Sequence, residues 1–334
     1  MLFLVFYEAQ KFAERNTGPR FRKRWVRPLA KIMETAIVKT LVRIGWVVMF
    51  GLSSGSVLAH DDHPEKQLQK QLPPHEQPAP AHPAGGPSGG SLAEAATNPV
   101  ANLVQFQLQN VFNGDNHNSD GYGNTFIVQP VIPIALPWEK VPLVITRWTL
   151  PYVSTPDLGA GVNRKHGFGD LTALGLFTPK LKTKKAQIGL GYTLGIPTAG
   201  DNDFTGSGKW LAGPSFLYIN LAIPHIQWGL FGFQEWSFAD AQQDREDVSK
   251  LSLQPFVTWH LSKGWYIGSP DSPQTYDFKA DEWTWALGAQ VGRVIKIGKV
   301  PAKVFGEFLS NPNNDAGPSP SWTIKFNLTL LFPE

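Results

Sequence analysis

Ala186-Gln187-Ile188-Gly189-Leu190-Gly191-Tyr192-Thr193-Leu194-Gly195-Ile196 decides the class of this chain. Successive residues of a strand point to opposite sides, so Ala186, Ile188, Leu190, Tyr192, Leu194 and Ile196 share one face and Gln187, Gly189, Gly191, Thr193 and Gly195 the other. A soluble barrel would enclose the large apolar set. A membrane barrel turns that set to lipid and leaves small and polar residues in its lumen. The length also suits a tilted strand crossing the hydrocarbon layer, which takes about 9–11 residues. The expectation is an all-β fold, a transmembrane antiparallel β-barrel.

The alternation recurs from Leu103 to Phe332. Candidate strands are 103–112, 124–134, 143–153, 168–178, 186–197, 210–220, 226–237, 250–261, 264–270, 283–293, 301–310 and 322–332, about 12 in all and an even number, as in bacterial single-chain barrels. Two faces separate cleanly at the C-terminal end: Trp322, Ile324, Phe326, Leu328, Leu330 and Phe332 oppose Thr323, Lys325, Asn327 and Thr329. Trp283, Trp285, Leu287, Ala289 and Val291 likewise oppose Thr284, Ala286, Gly288, Gln290 and Gly292. Alternation is blurred in 168–178, and 264–270 is short. Segments rich in Gly, Pro, Asn and Asp separate the strands at 179–185, 197–208, 239–248, 270–282 and 311–321. Pro130, Pro151, Pro214 and Pro255 fall inside strands, and because a closed barrel has no edge they must sit at bulges or strand ends.

Composition narrows the alternatives. The 334 residues are 42% hydrophobic, and the C-terminal two thirds contain no apolar run of 18, which excludes a helical membrane domain there. High counts of Gly (32), Phe (21) and Trp (12) suit small lumen residues and aromatic girdles. A net charge of +3 without a basic block gives no reason to expect a nucleic-acid partner. Zero cysteines removes disulfides, thiolate zinc sites and a lipidated N-terminal Cys.

The N-terminal part reads as address rather than fold. Lys39 and Arg43 precede the apolar run from Ile44 to Leu52, and Val57-Leu58-Ala59 supplies a small-residue cleavage site, so 33–59 reads as a secretory signal cleaved near Ala59. Residues 1–32, with Arg20, Arg22, Lys23, Arg24 and Arg27, lie too far upstream to belong to it and read as an N-terminal extension ahead of a start at Met33. An uncleaved anchor is the rival, and its apolar run is too short to span well. Residues 60–97 carry seven prolines and two Gly-Gly pairs, the composition of a disordered linker. Its His60, His63, His75 and His82 define no closed metal site. The barrel proper is expected over 98–334.

Seven ionisable residues are lumen-lining candidates: Arg147, Asp170, Glu235, His260, Lys303, Glu307 and Lys325. Charges at such positions select solutes in a pore. Equally, they can pair with one another to fill a narrow barrel. No catalytic, cofactor or metal motif is present: the nucleophile elbow, the His-Glu-Xaa-Xaa-His helix and the phosphate loop are all missing. Ser252 and His260 share a strand but lie roughly 26 Å apart at the strand rise, too far for a dyad. Trp138, Trp148, Trp228, Trp236, Trp265 and Trp283 read as membrane-interface anchors, while Phe256 and Phe305 face inward in reach of an apolar solute.

Several motifs together resemble the bacterial outer-membrane family labelled "meta-pathway of phenol degradation". They are Asn98-Pro99-Val100-Ala101, Gln129-Pro130-Val131-Ile132-Pro133, Gly167-Phe168-Gly169-Asp170, Gly206-Ser207-Gly208-Lys209-Trp210 with Gly213-Pro214, Gln254-Pro255-Phe256, Gly264-Trp265-Tyr266, Gly292-Arg293 and Leu331-Phe332-Pro333. The resemblance spans nearly all of 98–334. It implies an outer-membrane barrel surrounded by outer-membrane lipid and inserted by the barrel-assembly machinery, serving as a passive channel for small aromatic or other hydrophobic solutes. The family brings no binding residues to carry over. One departure is the C-terminus, where Phe332 is followed by Pro333 and Glu334 instead of ending the chain. A closed structural or adhesion barrel and an outer-membrane lipid-modifying enzyme are the alternatives.

Overall fold

Polar residues on the inside and apolar ones on the outside organise the observed architecture. The computed structural model describes residues 92–117, 121–157, 164–199, 204–242, 245–313 and 319–333, all within one unit, Ala81–Glu334. The extension, the signal segment and most of the linker lie outside the described residues.

A helix, α1 (Leu92–Thr97), precedes fifteen strands: β1 (Val104–His117), β2 (Gly123–Trp138), β3 (Val141–Ser154), β4 (His166–Phe168), β5 (Leu171–Thr178), β6 (Ala186–Ile196), β7 (Lys209–Ile223), β8 (Ile226–Asp240), β9 (Ser249–His260), β10 (Trp265–Gly268), β11 (Gln274–Asp277), β12 (Glu282–Thr284), β13 (Leu287–Ile297), β14 (Val300–Ser310) and β15 (Ser319–Phe332). Neighbours pair antiparallel in sequence order. β15 returns to β1, with Val104 opposite Phe332, and β10 pairs both β9 and β13, so the sheet closes on itself. Short pieces share staves: β4 extends β5 along β3, β11 follows β10 along β9, and β12, paired with β11, precedes β13, paired with β10, on the next. The wall therefore has twelve staves.

Exposure confirms the sign of the alternation. Leu190 is 57% exposed and Phe326 61%, whereas Thr193 and Thr329 are fully buried. Gln105, Gln107, Gln109, Ser215, Ser252 and Asn327 are buried with them. Closed strand pairing satisfies the backbone groups that lipid cannot. Close approach also explains the small inward residues: a Cβ on Gly191 would lie 1.7 Å from the Gly175 carbonyl oxygen.

The prolines sit where ladders break. Pro130 lies in a gap between the pairs Val128–Leu150 and Val131–Arg147. On β7, pairing with β8 skips Pro214, from Ala212–Trp236 to Ser215–Phe233. Beside Pro151, β3 changes partner from β5 to β4. Pro255 falls in the part of β9 between Leu253 and Thr258 that neither β10 nor β11 pairs.

Three expected boundaries move. The strand expected at 264–270 is only Trp265–Gly268; the chain then leaves the wall over 269–273 and rejoins β9 as β11. The strand expected at 283–293 begins instead at Leu287, with its face parity unchanged. Trp283 belongs to the β11–β12 hairpin, where it opposes Tyr276 and stacks on Trp285 at 5.0 Å. Its alternation was real but served a local hairpin. Finally, Leu92–Thr97, expected as the end of the linker, form α1.

Candidate lumen site

Short turns, such as those at 139–140, 224–225 and 298–299, occupy one end of the barrel; in bacterial barrels such turns face the periplasm. At that end α1 and the chain up to Leu103 lie inside the wall. Six residues are too few for a helix to be stable by propensity, so packing must hold it. Ala96, Ala101 and Leu103 are buried with Leu331, and Val100 joins an inner apolar cluster containing Ile145, Leu176 and Phe231. Side chains of the wall complete the anchoring. Thr97 Oγ1 lies 2.7 Å from His260 Nε2 and donates to Gln227 Oε1 at 3.1 Å, while Gln227 Nε2 donates to the Glu94 carbonyl at 3.0 Å. Asn98 Nδ2 donates to Gln187 Oε1 at 2.9 Å, and His225 faces Glu94 at 3.5 Å.

This segment is a partition. On its inner side, Ala96, Thr97 and Pro99 line a central cavity of about 410 Å³. On its other side, Glu94, Ala95 and Val100 line a cavity of about 710 Å³ that opens among the short turns.

A strap formed by 269–273 borders the central cavity from the β10 side. Glu307, whose side chain is fully buried, accepts the Asp271 N–H at 2.7 Å and the Ser272 hydroxyl at 2.8 Å. Lys325 donates to the Asp271 carbonyl and lies 3.6 Å from the Asp271 carboxylate and 3.8 Å from that of Glu307. Gln254 donates to Asp271 at 3.1 Å and Gln290 to the Ser269 carbonyl at 2.7 Å. Where the strap rejoins the wall, the Gln274 side chain replaces ladder bonds by bridging both the N–H and the carbonyl of Ala286.

The chamber between partition and strap is amphipathic. One side is a ladder of amides: Gln109 donates to Gln107, Gln107 to Gln105, and Gln129 to Gln107, all at 3.2–3.3 Å. The other side is apolar, with Leu174, Phe231, Phe233 and Phe256. Between them project Arg147, over the Phe231 ring at 5.2 Å, and Lys303, over Phe305 at 5.6 Å; Lys325 approaches the same Phe305 ring at 5.8 Å.

Of the seven sequence candidates, Arg147, Glu235, Lys303 and Lys325 line this chamber. Glu307 supports the strap from behind, and His260 is an anchor of the partition. Asp170 departs from the expectation. It sits where β4 gives way to β5, and the irregularity there removes it from the lumen: it accepts the Ser207 N–H and hydroxyl at 2.6 and 2.8 Å and the Ala199 N–H at 3.2 Å, and so ties both ends of the β6–β7 connection to this junction. Inward Phe256 and Phe305 were expected, whereas Leu174, Phe231 and Phe233 beside them, the strap and the helix were not read from the sequence. Ser252 is bonded to Thr275 and His260 to the partition, so no Ser–His pair forms between them.

A closed twelve-stranded barrel with an apolar exterior and an amphipathic chamber between two inward segments is the architecture of an outer-membrane barrel. In agreement, the fold is similar to that of an outer membrane channel from Pseudomonas putida F1, with a TM-score of 0.52 and 13% identity over 69% of this chain and 94% of the other. A KdgM porin solved in complex with disordered oligogalacturonate (TM-score 0.39, 7% identity, 69% and 99% covered) and the outer membrane phospholipase A from Escherichia coli (0.37, 9%, 69% and 92%) match less well. No family model and no curated protein matches the sequence. At these identities the likeness concerns the fold.

Proposed function

We propose that the protein is a passive channel of the bacterial outer membrane, moving small, partly apolar solutes down their gradients without a cofactor. The observation that carries this reading is the chamber itself. Its cavity of about 410 Å³ lies inside a lipid-facing barrel and has both an amide wall and an aromatic wall, a lining typical of small-molecule sites. Among the described residues it is closed by a short partition held by apolar packing and a few side-chain hydrogen bonds. Membership of the phenol-degradation-type family, secretion by cleavage near Ala59 and insertion by the barrel-assembly machinery belong to the same proposal. The resemblance motifs support the family, and the apolar exterior supports residence among outer-membrane lipids.

The test is reconstitution of residues 60–334 in planar bilayers and in vesicles swollen by solute entry. Discrete conductance steps that change in Arg147→Ala are expected. A correctly folded barrel that neither conducts nor admits solutes would overturn the channel reading in favour of a closed structural barrel.

A further inference from the structure

Resting on the channel reading, we propose that the chamber holds a binding site for a monocarboxylate with an apolar body, its head on Arg147 and Lys303. Among the described residues neither cation has a carboxylate within ion-pair distance, and Arg147 Nε is buried with no hydrogen-bond partner at all. Burying a guanidinium donor without a partner is costly, so such a group is kept where something else completes it.

The surrounding charges say what that partner carries. Six ionisable groups belong to this region: Arg147, Lys303, Lys325, Glu235, Asp271 and Glu307. Lys325, Asp271 and Glu307 satisfy one another and the strap, as described above. Glu235, the remaining carboxylate, accepts from Thr193 at 3.4 Å. Over the six groups three positive and three negative charges cancel, but not locally: Lys325 lies against both Asp271 and Glu307, whereas Arg147 and Lys303 are left without a carboxylate at ion-pair distance. A monoanion adds the least charge to this balance, whereas a dianion would set a second negative charge against Asp271 and Glu235, the two acidic groups whose charge reaches Arg147.

The rings fix the geometry. Phe231 under Arg147 and Phe305 under Lys303 hold each cation by its face, leaving N–H donors free for a planar head that a guanidinium grips with two parallel bonds. Phe233, Phe256 and Leu174 then offer the apolar body a surface against which to bury itself.

The experiment is calorimetric titration of the detergent-solubilised barrel with benzoate, benzyl alcohol and acetate, run beside the conductance measurement. Benzoate is expected to bind at least about tenfold more tightly than either partial probe, since charge-assisted bonds are the stronger class. Arg147→Gln and Lys303→Gln should each weaken benzoate about tenfold and leave benzyl alcohol within about twofold; Arg147→Lys should retain part of the affinity, and Lys182→Gln, on an exposed turn, should change nothing. Equal affinity for benzoate and benzyl alcohol in the wild-type barrel overturns the site, and so does benzoate binding that is indifferent to both Gln variants. If one variant fails to fold, the other and the wild-type probe series still decide. Because titration reads binding without transport, a silent bilayer overturns the channel alone, while conduction without carboxylate preference overturns the site alone.

Discussion

Replacing both Asn98 and Gln227 by Ala should loosen the partition without harming the wall. The double variant removes three bonds between the segment and the barrel: Asn98 to Gln187, Thr97 to Gln227, and Gln227 to the Glu94 carbonyl. A neutral intramolecular hydrogen bond is worth about 0.5–1.5 kcal/mol net, so the three together contribute about 1.5–4.5 kcal/mol to the closed state. At a factor of ten per 1.4 kcal/mol, the opening equilibrium should rise about ten- to a thousandfold. The contact of Thr97 with His260 and the burial of Ala96, Val100 and Leu103 remain, so closure should still dominate. Amide hydrogen exchange reads the opening directly: exchange over 92–103 should accelerate by that factor while β1 to β3 keep their protection. Conductance should show more frequent openings. Unchanged exchange in this segment, in a variant whose strands are protected as in the parent, would refute the idea that these side chains hold the partition.

Three further outcomes follow from the geometry. Leu190→Arg, on the exposed outer face of β6, should cost about 2–4 kcal/mol in refolding titrations into lipid vesicles if its depth is near the midplane, while Thr172→Arg, in the chamber lining, should leave stability nearly unchanged and shift ion selectivity. Glu307→Ala removes the acceptor of two strap bonds to a carboxylate, each worth about 1.5–3 kcal/mol, so the strap should exchange faster and unitary conductance should rise; a strap as protected as in the parent would contradict its assigned support. In the loop between β8 and β9, the hydrogen bond and charge of Lys209 hold the Asp247 carboxyl below the usual carboxylate range. A depressed folded value means its contribution is present above the ordinary Asp pKa near 3.9 and is lost as pH falls through the lower folded value. Limited proteolysis of this loop should therefore accelerate on acidification below about pH 4, and Lys209→Gln should move that onset upward.

What the sequence made legible and what it did not divide along one physical line, the range of the interactions involved. Period two is a local property, so the inward and outward faces, the number of staves and the inward placement of Arg147, Glu235, Lys303 and Lys325 could all be read from spacing. Asp170 escaped because it sits at an irregularity between β4 and β5, where parity no longer reports direction. His260 and Glu307 do point inward, yet neither lines the central chamber, because each is taken up by a segment from elsewhere in the chain. The strap shows the same limit. Ser269-Pro270-Asp271-Ser272-Pro273 has the composition of an ordinary turn, and what draws it inward is Glu307 and Lys325, more than thirty residues away. Helix α1 is too short to show a 3.6-residue period and follows a Pro- and Gly-rich tract, so only its contacts with the barrel end reveal it.

The two inward segments differ in a way that orders their mobility. The strap is held by hydrogen bonds to a buried carboxylate and an ammonium, and opening it would part Lys325 from Asp271 and strip Glu307, the cross-strand neighbour of Lys325, of both its strap donors inside the barrel. Breaking a buried charged pair by removing one partner costs about 3–5 kcal/mol. The partition is held by apolar burial and by amide and hydroxyl bonds, each such bond worth less, and its polar groups would meet water in the cavity among the short turns, into which Glu94 and Asn98 already project. Displacing it therefore strands no charge. By this comparison the closure at the short-turn end is the one that thermal motion opens first, while the strap stays as a fixed part of the chamber wall.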